Sequence, residues 1–391
     1  MKPKQKPQTS DRFIPYGKQS MDDSDLRAIQ DVLFSDFLTT GPTVEKFEQE
    51  ICNVTGAKHA VAVGNGTHAL HLASLAADLK PGDWAVVPSI TFLATANAVR
   101  YCGADVIFCD VDPMTGLMRP QDLQAAFDQN KDKNIRAVLP VHLRGDCVDL
   151  APLKKMAEQK GVTMIADACH ALGGSYQDTP AGACRYEDLA TFSFHPVKTI
   201  TTGEGGAITT NSESMARQMK MLRGHGMMRD ESRSLWFYEM ETIGFNYRLC
   251  DIQCALGVSQ MKRLGHFIDR RRHLAALYDR ALNQISPALT VPQSPSYGAS
   301  AWHLYAVRID FKALGKRRDD VMRELRARNI GTQVHYIPVH TQPYYTKLYG
   351  MQNLTGAQDY YEHTLSLPLY PTMHDDDVQR VADHLNDILN G

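Results

Sequence analysis

At 391 residues the chain is long enough to bury a sizeable core, and that length points to one large domain with a smaller companion rather than a disulfide-stapled module. Hydrophobic residues make up 43% and charged residues 22%, which excludes a disordered or fibrous chain. Lys and Arg total 42 against 44 Asp and Glu, so the net charge of −2 leaves no footprint for a nucleic-acid backbone.

Residues 1–22 read as an N-terminal arm, polar and rich in Lys, Gln and Pro over its first dozen residues. A helix is expected from about Asp23 to Phe34, an extended or turning segment from Ser35 to Pro42, and a second helix from near Thr43. Short β-rich runs then alternate with helical patterns: His59 to Val63, Trp84 to Pro88, Val106 to Cys109, Arg136 to Val141 and Thr163 to Ala166. That alternation predicts an α/β fold with a mostly parallel sheet and helices on its faces. Leu189 to Phe194 and Gly206 to Thr210 follow one another without a helix between them and are expected to add an antiparallel edge.

The pattern is helical to Arg223, irregular and polar to about Thr242, and helical again from Asp251 to about Leu282. Arg270, Arg271 and Arg272 sit in this long helix and read as a solvated face. Beyond the Pro/Ser/Gly-rich stretch 286–300, the segments Trp302 to Ile309, Arg318 to Arg328 and Thr332 to Ile337 read as strand, helix and strand. The chain thus divides into a large domain over 23–255 and a smaller α/β domain over 256–391. No run is long and apolar enough to span a membrane, and the eight scattered cysteines form no C-x-x-C pair. Reduced, mostly buried thiols and a cytoplasmic location are expected.

Gly64-Asn65-Gly66-Thr67-His68-Ala69 follows the strand His59 to Val63 and opens a helix through Leu70, Leu72 and Leu75. Glycines admit a ligand close to the backbone, and the free amides and dipole of a helix start favour a phosphate. The letters also fit the dinucleotide fingerprint G-x-G-x-x-A. That motif requires an acid after the next strand, where Ser89 stands instead. Taken alone, the turn equally fits a tight structural connection.

Asp167 ends the run Thr163 to Ala166, where open α/β sheets place ligand groups, and a carboxylate there can hold a heterocyclic nitrogen protonated. A helix N-cap beside a core histidine, His170, is the plainer reading of the same letters. A metal site on Asp167, Cys169 and His170 lacks further ligands at recognisable spacing. Lys198 closes Phe192-Ser193-Phe194-His195-Pro196-Val197-Lys198 and precedes Thr201-Thr202-Gly203-Glu204-Gly205-Gly206-Ala207. Apolar flanks would lower its pKa and make the amine nucleophilic towards an aldehyde, and the glycines leave room for a flat ring, although a structural lysine is the plainer reading of these letters alone.

An anion turn, a strand-terminal acid and a lysine after a strand, in this order, suit the phosphate, ring nitrogen and aldehyde of pyridoxal phosphate. Together with Pro15-Tyr16-Gly17-Lys18-Gln19, the segment Ser35 to Pro42, Gly224-His225-Gly226-Met227, Gly244-Phe245-Asn246-Tyr247-Arg248 and Gln333-Val334-His335-Tyr336, they carry a resemblance over nearly the whole chain. The sequence resembles the DegT/DnrJ/StrS-type nucleotide-sugar aminotransferases, and most closely their pseudaminic-acid branch.

The resemblance implies the fold-type I architecture of pyridoxal-5′-phosphate-dependent transferases, a mixed, mostly parallel seven-stranded sheet plus a smaller C-terminal α/β domain. It also implies a homodimer with shared active sites. Gly66, Thr67 and Ser193 would hold the cofactor phosphate with Asn246 of the partner subunit, and Phe92 would stack on the ring. Asp167 would pair with the ring nitrogen, His170 would lie near the ring, and Lys198 would bond the aldehyde carbon. His335 and Tyr336 would contact the sugar nucleotide, and Arg248 is the candidate for the donor carboxylate. L-glutamate would be the amino donor and a UDP-linked 4-keto-6-deoxy-N-acetylhexosamine the acceptor, aminated at C4. Pro196 stands where alanine is common in the family, which stiffens the approach to Lys198.

Three rivals are set against this reading. Dehydratases on the same fold carry histidine in place of Lys198. A nicotinamide oxidoreductase leaves Lys198 without a role. A non-catalytic regulator on the same fold would have lost residues that are all present here.

Overall fold

We analysed a computed structural model of the chain, which describes residues 12–230, 232–283 and 285–391. Half of the expected N-terminal arm, residues 1–11, lies outside the described residues.

The centre of the fold is a seven-stranded sheet. Its spatial order is His59–Val63, Gly206–Thr210, Leu189–Ser193, Thr163–Asp167, Ile135–Val138, Trp84–Pro88 and Asp105–Cys109. Alternate residues of each strand enter two separate cores, one on each face. Val86, Met164 and Phe192 pack on one side with Phe47 and Leu153, while Ala85, Val87, Ile165 and Ile208 pack on the other with Leu72 and Val99. Both faces are covered, so these strands read as continuous apolar runs.

The expected antiparallel edge is corrected in two respects. Leu189–Ser193 runs parallel to Thr163–Asp167. Only Gly206–Thr210 is reversed, and it lies inside the sheet, antiparallel to both His59–Val63 and Leu189–Ser193. A connection without a crossover helix returns the chain beside its predecessor in the opposite direction. All five residues of Gly206–Thr210 are buried, which requires hydrogen-bonding neighbours on both sides.

The long helix expected from Asp251 is two helices, Asp251–Met261 and Leu264–Leu282. Arg263 leaves helical geometry between them (φ −106°, ψ 3°), where its guanidinium pairs with Asp22 and Asp25 at the start of the helix Asp23–Leu33. The arginine run is also corrected, because Arg271 is fully buried. Helical spacing puts it on the inward stripe with Ile268, Leu274, Ala275 and Tyr278. There its guanidinium donates to the carbonyls of Trp302 (3.2 Å), His303 (3.2 Å) and Leu369 (2.9 Å). Burial lowers its pKa to about 10, still charged at neutral pH.

A third core gathers around a small antiparallel sheet of Leu289–Thr290, Tyr305–Ile309 and Thr364–Leu367, covered by the C-terminal helix Asp375–Asn390. The strand expected over 332–337 is instead an irregular segment with a single bridge, Gln333 to Ser366. Pro338 stops further pairing, and the segment turns its side chains into a cavity. The region expected to be irregular up to Thr242 contains a hairpin, Met227–Arg229 against Tyr238–Met240.

Candidate active site

The carboxyl ends of the strands open on a cavity of about 590 Å³. Ligands bind at this end of an open α/β sheet because the connecting loops diverge there and leave backbone groups free. Gly66 and Thr67 line one wall, in the first turn of the helix Gly66–Ala76. The Asn65 side chain caps that helix by accepting from the His68 amide at 2.8 Å. The amides of Gly66 and Thr67 are too near the start to find an acceptor within the helix and are left for a ligand. A Cβ added to Gly66 would meet the Ser193 Cβ at 2.9 Å, so only glycine allows the turn to close on that strand.

Asp167 sits on the floor, 5% exposed. Its Oδ1 accepts from the Cys169 amide at 3.2 Å and its Oδ2 from the Thr95 hydroxyl at 2.7 Å. Lys198, on the same cavity, follows a turn in which its amide donates to the His195 carbonyl at 2.8 Å. Burial lowers the Lys198 pKa, while Cys169 and Asp167 act in the opposite direction. The outcome is an amine more readily deprotonated than a surface lysine.

Phe92 leads into the helix Leu93–Tyr101 and stands 56% exposed on the rim, 6.0 Å from the Tyr336 ring between centroids. The Tyr336 hydroxyl lies 3.1 Å from His170 Nε2, and His335 Nδ1 lies 2.8 Å from the Ser366 hydroxyl. His303 packs against His170, with ring centroids 4.2 Å apart and planes tilted by 42°. Burial pushes all three imidazoles below their ordinary pKa, His335 to about 3, so they stand neutral at pH 7. Among the described residues, His170 Nδ1 is buried and has no hydrogen-bond partner.

One cavity thus holds Gly66, Thr67, Phe92, Asp167, His170 and Ser193, with Lys198, His335 and Tyr336. Asn246 and Arg248 do not line it. Asn246 is exposed and bridges to Gly224 through its backbone, and Arg248 is partly buried on the same segment. Sequence reasoning passed over Tyr16, Thr91, Thr95 and His303. Tyr16 lay within a quoted motif, but nothing in the letters brings His303 beside His170. Among the described residues no His, Cys, Asp or Glu side chains gather into a metal site.

The residues fit pyridoxal phosphate in their chemistry. Open helix-start amides beside Ser193 suit a phosphate, an unprotected aromatic face suits a ring, a buried carboxylate suits a protonated nitrogen, and a deprotonatable lysine suits an aldehyde. Residues 19–386 match the DegT/DnrJ/EryC1/StrS aminotransferase family. The chain belongs to that family. It is therefore a nucleotide-sugar aminotransferase that uses pyridoxal 5′-phosphate.

The aminotransferase is 38% identical to the spore coat polysaccharide biosynthesis protein SpsC of Bacillus subtilis, over 98% of this chain and 99% of the relative. In structure it resembles Helicobacter pylori PseC, an aminotransferase involved in the biosynthesis of pseudoaminic acid. The TM-score is 0.90 at 29% identity, covering 97% of this chain and 100% of the other. It also resembles Spr1654 of Streptococcus pneumoniae, a sugar aminotransferase solved with PLP, with a TM-score of 0.89 at 25% identity over 97% and 99% of the two chains.

Proposed function

We propose that this aminotransferase moves an amino group from L-glutamate to C4 of a UDP-linked 4-keto-6-deoxy-N-acetylhexosamine, in a pseudaminic-acid-type route, and works as a homodimer with shared active sites. The observation that carries the reading is the convergence of half-buried Lys198, buried Asp167 and the open Gly66–Thr67 turn on one cavity. In this reading residues 23–255 form the cofactor-binding domain, and residues 256–391 form a smaller domain that contributes His303 and the segment 333–336 to the pocket.

When bound, the cofactor supplies an electron-withdrawing ring that takes up charge from the substrate carbon. Asp167 holds a proton on the ring nitrogen, a fixed electrostatic contribution from a preorganised partner. Lys198 carries the proton between the donor's Cα and the adjacent acceptor carbon, and burial favours its free amine, the form that takes up the proton. Gly66, Thr67 and Ser193 grip the phosphate, Phe92 covers the ring face, and His170 offers its unpartnered Nδ1 to a ring substituent. His335 and Tyr336, neutral and hydrogen-bonded, orient the sugar nucleotide without adding charge.

Asn246 and Arg248 lie outside this chain's own cavity. Their proposed roles, on the phosphate and the donor carboxylate, therefore require the partner subunit's pocket. The identity to SpsC favours one second reading, amination of a different nucleotide-linked keto sugar.

The test is the visible absorption of purified protein with added pyridoxal phosphate, before and after L-glutamate, beside Lys198→Ala, followed by a keto-sugar panel with the product position read by NMR. A band that bleaches with glutamate and is missing in the variant supports the role of Lys198. A wild type without a band overturns it. Amination of another sugar, or at another carbon, overturns the substrate assignment alone.

A further inference from the structure

Asp167 is the carboxylate on which the proposed chemistry turns, and its environment contains a directional pair of hydroxyls. Thr95 Oγ1 donates to Asp167 Oδ2 at 2.7 Å. Thr91 Oγ1 lies 2.7 Å from Thr95 Oγ1. A hydroxyl has one proton and an ionised carboxylate only accepts, so the Thr95 proton is committed to Asp167. The Thr91 proton must then point to Thr95. Both threonines are fully buried.

The two threonines bracket Phe92, with Thr95 in the first turn of the helix Leu93–Tyr101, where its amide donates to the Phe92 carbonyl at 3.3 Å. One turn of backbone therefore places the exposed ring of Phe92 and fixes Asp167 on the cavity floor. β-branched side chains suit this task because their χ1 is stiff and each hydroxyl is held in one direction.

We infer that Thr95, backed by Thr91, is a positioning residue that locks the Asp167 carboxylate in the orientation needed to pair with the cofactor's ring nitrogen. The inference rests on the proposed role of Asp167. With Oδ2 anchored by Thr95 and Oδ1 by the Cys169 amide, rotation of the carboxylate is blocked, and its remaining lone pairs keep a fixed direction towards the cavity. Thr95 touches neither ring nor substrate, and acts through Asp167.

The experiment is ¹⁵N NMR of the protein loaded with pyridoxal phosphate labelled at the ring nitrogen, in wild type, Thr95→Val, Thr95→Ser, Thr91→Val and Asp167→Asn, with kcat and KM measured in parallel. Thr95→Val keeps the shape and loses the donor. Its ring-nitrogen resonance is expected to move towards the unprotonated position, with kcat down by about tenfold to a hundredfold and KM for the sugar little changed, as for loss of one charge-assisted hydrogen bond. Thr95→Ser restores both readouts, and Thr91→Val gives a smaller shift in the same direction. A wild-type resonance and kcat in Thr95→Val overturn the inference. If Thr95→Val fails to fold, a wild-type resonance and kcat in Thr91→Val overturn it equally. An unchanged resonance in Asp167→Asn overturns the underlying assignment of Asp167, whereas a changed one there beside unchanged threonine variants overturns the inference alone.

Discussion

The imidazoles of His170, His303 and His335 are buried and neutral, which makes them hydrogen-bonding groups at pH 7 and a liability at low pH. Burial lowers His335 to about 3 and, outside the pocket, His71 and His142 to about 4. The unfolded chain takes up protons near pH 6.5, where the folded one does not. Stability is therefore complete above about pH 6.5 and is lost as the pH falls towards the folded values, by up to about 1.4 kcal/mol per pH unit for each group. Thermal melts from pH 7.5 down to 4.5 should show a steadily falling midpoint, with a shallower slope in His142→Asn. A flat profile would mean that these imidazoles are solvated. Lys198 shifts in the same sense, since burial favours its free amine over the charged form. Lys198→Ala is expected to reduce turnover by at least about 10³-fold while thermal stability stays near wild type, measured by single-turnover kinetics and melting.

At the level of elements, two features hold the site. The first is the turn at Gly66, where a Cβ would press on Ser193. Gly66→Ala must push the helix Gly66–Ala76 and the strand Leu189–Ser193 apart, and cofactor affinity, read by fluorescence titration of the cofactor-free protein, should fall about tenfold. The second is Arg271, which ties the helix Leu264–Leu282 to the segment leading into Tyr305–Ile309 and to the carbonyl of Leu369. His303 is one of the residues it holds, so the arginine supports the pocket wall from behind. Arg271→Met leaves these carbonyls without their donor and should cost about 3 kcal/mol in urea unfolding. Periodicity in the sequence identified the helix around Arg271 and misjudged its face, because a charge was read as solvent-exposed. Only the crossing of three chain segments shows that three carbonyls converge on one nitrogen of a buried guanidinium there.

For the whole molecule, the segment carrying Asn246 is held by its own subunit yet turned away from that subunit's cavity. Phe245 and Tyr247, on either side of Asn246, pack inward on His68 and His71 of the helix Gly66–Ala76. Asn246 itself is exposed. In the preceding stretch of chain Leu235, Trp236 and Ile243 are 87%, 77% and 78% exposed, apolar side chains of the kind a second subunit covers. If the active sites are shared, mixing Lys198→Ala with Asn246→Ala protein under exchange conditions should restore about a quarter of wild-type activity, because half the dimers are mixed and each has one intact site. No recovery in demonstrably mixed dimers would place Asn246 outside the partner's site.

The sequence by itself determined the strands of the central sheet and the residues at their carboxyl ends, because alternation of apolar runs and the chemistry at Gly66, Asp167 and Lys198 are local properties of the chain. It did not determine that Gly206–Thr210 lies inside the sheet, that Arg271 is buried, or that segment 332–337 leaves the sheet to line the pocket. Those outcomes depend on which segments meet across long separations. The same holds for Thr95 beside Asp167 and His303 beside His170, 72 residues apart in the first pair and far apart in the second. Local pattern names the groups that perform chemistry; packing between distant segments decides what fixes their direction.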